Sequence, residues 1–85
     1  MSNRAKHVVR LFGAAREAAG ADTIALELRE PATAADAVAA LAAAHPGLKP
    51  LLPRARVAVN FAYVDASTKL APGDEIAILP PVGGG

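Results

Sequence analysis

The sequence predicts a single α+β domain in which one mixed sheet of four to five strands packs on one main helix in two layers. Two segments with alternating apolar residues precede an alanine-rich helical segment, and further alternating segments follow it. The length of 85 residues excludes a second domain. A chain of this size should bury only about 60% of its unfolded surface, so its core must be small.

The first strand and a short helix are predicted in the first twenty residues. Residues 7–12 alternate so that Val9 and Leu11 share one face of a strand. A helical turn follows over residues 14–19, and Gly20 stands at the position where a left-handed residue commonly ends a helix.

The second strand leads into the main helix. Residues 23–28 alternate cleanly, with the apolar even-numbered residues facing the core, and Pro31 ends the strand. Thr33 and Asp36 have the spacing of a capping box, which predicts a helix that runs to about His45. The residues of this helix expected in the core are Val38 and Leu41.

The second half of the chain supplies the remaining strands. Residues 48–52 lie between prolines and predict an irregular segment without a long helix. A third strand is predicted over residues 56–61 with its valines inward, and residues 62–64 should pair beside it. A turn at residues 72–74 then leads to a last strand over residues 75–79, whose isoleucines face the core.

Composition excludes several function classes. No apolar run approaches the roughly 20 residues that span a membrane, and the N terminus lacks the pattern of a signal peptide, so we expect a cytoplasmic protein. Without cysteine there is no disulfide or thiolate metal site. The 9 Lys and Arg are interspersed with 8 Asp and Glu, which gives no basic footprint for nucleic acid.

No conventional catalytic or metal site is predicted. His7 opens a strand and His45 stands at a helix C terminus, so structural roles are expected for both. Ser2 and Ser67 have no neighbouring base or nucleophile elbow. No glycine pattern for phosphate opens a helix, so this chain is expected to bind neither ATP nor any other cofactor, and no metal.

The end of the sequence is its most informative part. Its residues are Pro80, Pro81, Val82, Gly83, Gly84 and Gly85. Glycine has no Cβ and fits channels that exclude side chains. When extended, six residues reach roughly 20 Å, far enough to enter a buried active site. We therefore predict a globular domain over residues 1–79, with residues 1–6 flexible, and a tail over residues 80–85 that delivers its terminal carboxylate to a partner.

A partner surface is predicted on the face of the sheet away from the helix. Alternation places Phe12, Ala77 and Leu79 on that face, and Tyr63 is expected to join them. A bare apolar face of a sheet usually indicates a partner, and aromatic residues are common anchors in interfaces.

Several segments in order resemble the small subunit of molybdopterin synthase, which has the ubiquitin-like β-grasp fold. They are Val9-Arg10-Leu11-Phe12-Gly13, Arg16-Glu17 with Gly20, Ala58-Val59-Asn60, Gly73-Asp74-Glu75-Ile76-Ala77, and Pro80-Pro81-Val82 ahead of Gly84-Gly85. The resemblance covers the chain from about residue 7 to its end. One departure is Gly83, where this family usually has a small residue other than glycine.

The resemblance implies a sulfur carrier that is not an enzyme on its own. An ATP-dependent activating enzyme, similar to ubiquitin activators, would adenylate Gly85, and a sulfur donor protein would convert it to a thiocarboxylate. Inserted into the large subunit of the synthase, this group would donate its sulfur to a cyclic pyranopterin precursor, and two turnovers would build the dithiolene. The resemblance also implies that Phe12, Tyr63 and Leu79 face the large subunit, that Arg16 contributes a contact, and that the assembly is a heterotetramer.

Three alternatives stay open from the sequence. A ubiquitin-like protein modifier would use Gly85 for an isopeptide bond to a lysine. A sulfur carrier of the thiamine pathway would use the same chemistry, although such carriers are usually shorter. A plain interaction module would have an inert tail, and removal of Gly85 would then leave its function unchanged.

Overall fold

The computed structural model describes residues 3–80. In chain order the elements are β1 (Arg4–Leu11), α1 (Gly13–Ala19), β2 (Thr23–Arg29), β3 (Ala32–Thr33), α2 (Ala34–Ala44), two 3-10 helices (Pro46–Leu48 and Leu52–Arg54), β4 (Arg56–Val59), β5 (Ala62–Val64), β6 (Lys69–Leu70) and β7 (Glu75–Leu79). Of the predicted tail, only Pro80 lies within the described residues.

Five strands form one mixed sheet in the order β2-β1-β7-β4-β5. The central pair, β1 and β7, is parallel, and the other neighbours are antiparallel. The helix α2 follows β2 and contacts it. This arrangement confirms the predicted β-grasp fold. The short strands β3 and β6 pair separately, at the N terminus of α2, and were not predicted.

The core lies between the inner face of the sheet and α2. Val9 pairs with Ile76 and Leu11 with Ile78 across the two central strands, and all four side chains are almost completely buried. The inward positions of β2 are also buried, while the residues between them are exposed. The predicted alternation of these strands is therefore confirmed.

The main helix begins at the predicted capping box. The Thr33 hydroxyl accepts a hydrogen bond from the Asp36 backbone N–H at 3.3 Å, and the Asp36 carboxylate accepts one from the Thr33 backbone N–H at 2.9 Å. The helix ends at Ala44, with His45 as its C-cap. Leu41 is fully buried as predicted, whereas Val38 is only partly buried. The rest of the buried stripe consists of Ala34 and Ala37.

Replacing Thr33 by alanine should lower the free energy of unfolding by about 1 kcal/mol, because the Asp36 N–H loses its partner at the helix end. Urea denaturation measures this difference. Thr33→Ser keeps the hydroxyl and should remain close to the wild type. Equal destabilisation by both variants would show that the cap contributes little and that the methyl group matters instead.

Two boundaries differ from the prediction. β1 begins at Arg4, so the predicted flexible leader is paired with β2 from Arg4 onward. β4 ends at Val59, two residues early, because Asn60 and Phe61 both adopt positive φ and form a turn. The segment after α2 contains two single-turn 3-10 helices, which agrees with the expectation of no long helix.

His7 has a structural partner in the core. Its side chain is completely enclosed, and its Nε2 lies 3.0 Å from a carboxylate oxygen of Glu30, while Nδ1 has no hydrogen-bond partner among the described residues. Within residues 3–80 no helix is long and apolar enough to cross a bilayer. In the same range no group of three or more His, Asp or Glu is placed to hold a metal ion.

Candidate functional site

The outer face of the sheet carries an apolar groove of about 300 Å³. Its floor is made by Ala58 on β4 and Ala77 on β7, which lie directly opposite each other in the register. Two neighbouring alanines leave a depression because the side chains around them are larger. Only 8% of the surface of Ala58 is exposed, although this residue lies on the face of the sheet away from the core.

Large apolar side chains form the walls. The predicted interface residues Phe12, Tyr63 and Leu79 all line the groove. Phe61 completes the wall and was not predicted for this face. Tyr63 lies directly opposite Ala58 in the antiparallel pair of β4 and β5. The geometry thus brings together Phe12 and Leu79, which alternation placed on this face, and Tyr63, which was expected to join them. Their contact with a partner stays a prediction.

Arg16 does not line this groove. It lies on α1, where its Nη1 is 3.6 Å from a carboxylate oxygen of Asp22, and both side chains are more than half exposed. Such an exposed ion pair contributes little to stability. Because Arg16 lies outside the groove, its role as a partner contact stays a prediction.

Two arginines lie beside the aromatic side chains of the groove wall. Arg10 donates a hydrogen bond to Glu75 at 3.1 Å and lies 6.0 Å from the centre of the Phe12 ring. The Arg56 guanidinium stacks 4.1 Å from the centre of the Tyr63 ring. Contacts of this kind between an exposed cation and an aromatic ring contribute about 0.5–1 kcal/mol each. A positive charge therefore lies beside each of two aromatic wall residues.

The tail begins at the end of the groove that Phe12 and Leu79 form. β7 ends at Leu79 and Pro80 follows it. Gly13 lies beside Pro80: a Cβ added to Gly13 would be 3.5 Å from Pro80 Cγ, and Gly13 has a φ of +54°, which disfavours other residues. The first residue of the tail therefore lies next to the groove. The predicted carrier residues Gly83, Gly84 and Gly85, with Pro81 and Val82, lie outside the described residues.

A two-residue turn presents Phe61 at the far end of the groove. Asn60 has a φ of 52° and Phe61 a φ of 70°, the pattern of a type I′ hairpin turn between β4 and β5. Glycine is preferred at the second of these positions, because a side chain there is strained. A bulky residue, Phe61, nevertheless stands at this position, and its side chain is 86% exposed. The asparagine at position 60 was the signal for this turn.

The turn is fixed by hydrogen bonds to the start of β7. The Asn60 backbone N–H donates to the Glu75 carbonyl at 2.8 Å, and the Asn60 side-chain oxygen accepts from the Glu75 N–H at 3.0 Å. The Asn60 amide also donates to Asp74 at 3.0 Å. Asp74 in turn accepts from the Ala71 N–H at 2.7 Å. Phe61 is thus displayed by a rigid support.

The stability of this turn depends on pH through the carboxylate of Asp74. The Ala71 N–H and then the Asn60 amide stabilise its carboxylate and hold the pKa of Asp74 below its ordinary value. Since the folded pKa is lowered, the stabilisation is present above the unfolded pKa of about 3.9 and is lost as the pH falls through the folded value.

Asp74→Asn should therefore destabilise the protein at pH 7, because a neutral amide has one oxygen and cannot accept both bonds. The difference from the wild type should shrink as the pH falls below about 4. Thermal unfolding across this range measures it, with Glu17→Gln on α1 as the control for loss of one negative charge. A difference that is constant with pH would contradict the assignment.

A second opening, of about 460 Å³, lies between α2 and the edge strand β5. Its apolar lining includes Val38, Val57 and Val64, which are partly buried residues packed against the core. It therefore belongs to the edge of the core, whereas the groove on the outer face is separate from the core and adjoins the tail.

Comparison with known proteins finds relatives over most of the chain. The ThiS family matches residues 9–85. A molybdopterin synthase sulfur carrier subunit from Chlamydomonas reinhardtii is 39% identical over 79 residues, which cover 91% of this chain and 95% of that protein.

Solved structures show the same likeness. Small archaeal modifier protein 1 of H. volcanii has a TM-score of 0.84 at 31% identity, covering 92% of this chain and 99% of that one. A chain in the complex of subunits 1 and 2 of the molybdopterin-converting factor from Helicobacter pylori has a TM-score of 0.67 at 28% identity, covering 94% and 99%. These likenesses confirm the resemblance predicted from the sequence motifs.

Proposed function

Because this chain belongs to the ThiS family, we propose that it is a sulfur carrier and acts as the small subunit of a molybdopterin synthase. The sulfur would be carried on the C-terminal carboxyl group of Gly85 as a thiocarboxylate. The proposal is supported by the likeness to a sulfur carrier subunit of that synthase and to a chain in a complex of the two subunits of the converting factor.

The single observation that carries the proposal is that the apolar groove and the tail meet. Phe12 and Leu79 form one end of the groove, and Pro80 follows directly. A partner that covers the groove therefore also holds the root of the tail. Beyond it, residues 81–85 can extend roughly 17 Å into that partner.

The proposed chemistry begins with activation by a separate enzyme. A carboxylate oxygen of Gly85 attacks the α-phosphate of ATP, the bond to the β-phosphate breaks, and pyrophosphate leaves. A carboxylate resists nucleophiles because of its charge and resonance, whereas the acyl-adenylate has AMP as a good leaving group. Sulfide from a donor protein then attacks the carbonyl carbon, a C–S bond forms, and the C–O bond to AMP breaks.

The domain itself supplies position rather than catalytic groups. In the proposal ATP binds to the activating enzyme, and this chain binds no cofactor. The large subunit provides the acid, the base and the pyranopterin site, and two turnovers build the dithiolene. Holding the thiocarboxylate at the reacting carbon gives the rate advantage of a reaction within one complex. A heterotetramer with one small subunit at each end of two large subunits remains our expectation, as does a cytoplasmic location.

A second candidate function is protein modification, because the chain is also similar to a small archaeal modifier protein. After the same activation, the amine of a lysine would attack the Gly85 carbonyl carbon, and an isopeptide bond would form. Mass spectrometry of cell extracts would then find lysines that carry the chain through Gly85. A sulfur carrier of the thiamine pathway would differ only in the acceptor of the sulfur.

The decisive experiment is mass spectrometry of the C-terminal peptide after incubation of the full chain with ATP, an activating enzyme and sulfide. Replacement of oxygen by sulfur adds about 16 Da, the same as addition of one oxygen atom, so fragmentation must locate the shift within this peptide, which does not contain Met1. We expect the shift on Gly85. An unmodified tail, with an activating enzyme shown to be competent on another carrier, would contradict the proposal.

A further inference from the structure

We propose that Phe61 is a binding anchor that docks this chain on the large subunit of the synthase, in addition to the wall residues predicted from alternation. The inference rests on the proposed function, because that function supplies the partner. Phe61 would insert into an apolar pocket of the large subunit while the groove beside it is covered.

The Phe61 side chain is exposed and lies outside the core. Phe61 is the most exposed of the large apolar side chains in residues 3–80, at 86%. It belongs neither to the core cluster of the described residues nor to the partly buried residues packed against that cluster. An exposed aromatic side chain beside an apolar groove forms a patch of the kind that marks binding sites.

The backbone of Phe61 is strained. Phe61 has a φ of 70°, a conformation that is a true outlier for a bulky residue and natural for glycine. A strained residue persists where its surroundings hold it in place, and such residues cluster at functional sites. Here Asn60 provides that support through three hydrogen bonds to Asp74 and Glu75.

The turn at Asn60 and Phe61 is preorganised for binding. Because the turn is fixed before binding, little conformational entropy remains to be lost when Phe61 is buried. Phe61 and Phe12 lie at opposite ends of the groove, since β7 runs from Glu75 near the turn to Leu79 at the tail. Four residue steps along a strand span roughly 13 Å. Two aromatic anchors at this separation would fix both the position and the direction of the tail.

The occupant is taken to be the large subunit because a related chain forms a complex with subunit 2 of the converting factor. Six of the eight residues that line the groove are apolar or aromatic, and the other two are Arg10 and Glu75, which pair with each other. A mainly apolar surface is typical of interfaces that persist.

The test compares the wild type, Phe61→Gly and Val8→Ala in binding to the purified large subunit by calorimetry. We expect roughly thirtyfold weaker binding by Phe61→Gly, the loss typical of a hot-spot residue. Val8 is the matched control, an exposed apolar residue on the same sheet face that does not line the groove. Its truncation should leave affinity within about twofold of the wild type, as for most contacts outside a hot spot.

Two further readouts separate binding from folding. Phe61→Gly should unfold at the same or a higher temperature, because glycine accepts the positive φ. It should also receive sulfur on Gly85 at the wild-type rate, since the anchor is assigned to the large subunit and not to the activating enzyme. A loss of folding stability that accounts for the weaker binding would overturn the inference, and so would an equal loss with both partners.

Other outcomes are equally decisive. Wild-type affinity in Phe61→Gly, or no binding of the wild type to the large subunit, would overturn the inference. A dimer in sedimentation that Phe61→Gly abolishes would assign the face to a second copy of this chain and overturn it as well. Failure of the wild type to acquire sulfur would refute the proposed chemistry, while the binding comparison would still decide the role of Phe61.

Discussion

Replacing Ala77 by glutamate should weaken binding to the large subunit by at least roughly a hundredfold, or about 3 kcal/mol. Ala77 lies on the central strand β7 and forms half of the groove floor. A glutamate would fill the depression and place a carboxylate under the partner, where desolvation of a charge costs several kcal/mol. The effect should exceed that of removing any single wall residue.

The fold should tolerate this change. The side chain at position 77 points away from the core, and its register partner on β1 is Arg10, which can pair with a carboxylate across the strands. Ala25→Glu is the matched control, because Ala25 is exposed on the same face of the sheet, on β2 and outside the groove. Equal binding by Ala77→Glu and Ala25→Glu would show that the groove is not the docking surface.

The sequence was sufficient for the fold because its core strands follow simple alternation. Val9 and Leu11 predicted the inner face of β1, and Ile76 and Ile78 predicted that of β7; the parallel pairing of these strands then joined the two sets. The capping box at Thr33 gave the start of α2 because it depends on contacts within four residues. Signals of this local kind can be read without knowing the tertiary structure.

Features that depend on tertiary contacts were missed. β3 and β6 have two residues each, which is too few to show an alternating pattern. Their pairing also joins residues 32–33, just before α2, to residues 69–70, which are distant in the sequence. Phe61 continued the apolar alternation of β4 and was therefore assigned to the strand. The hairpin turn that exposes Phe61 depends on hydrogen bonds between Asn60 and residues at least 14 positions away.

The candidate site was predictable only in part for the same reason. Phe12, Tyr63 and Leu79 come from three parts of the chain, and alternation gave each a face of the sheet without their mutual distances. The alanine floor was not predicted as a groove, because its depth depends on the alignment of Ala58 with Ala77. Arg16 was proposed from motif resemblance, and its place on α1 beside Asp22 puts it outside the groove.

Deletion of Gly85 should abolish sulfur transfer to the pyranopterin while binding to the large subunit stays within about twofold of the wild type. The deletion moves the terminal carboxyl back by roughly 3.5 Å, one residue of extended chain. A displacement of even about 1 Å can cost a hundredfold in rate when a reaction depends on positioning. Binding should persist because the deletion retains every residue that lines the groove.

Single-turnover formation of the dithiolene measures the transfer, and calorimetry measures the binding. Gly83→Ala keeps the length of the tail and is the matched control, since this position precedes the terminal pair; it should retain most of the transfer. Taken with Ala77→Glu, the deletion separates two functions of one small chain. The groove variant should lose binding and the tail variant should lose chemistry. Transfer at the wild-type rate without Gly85 would mean that the reaction does not depend on where the tail places its terminal carboxyl group.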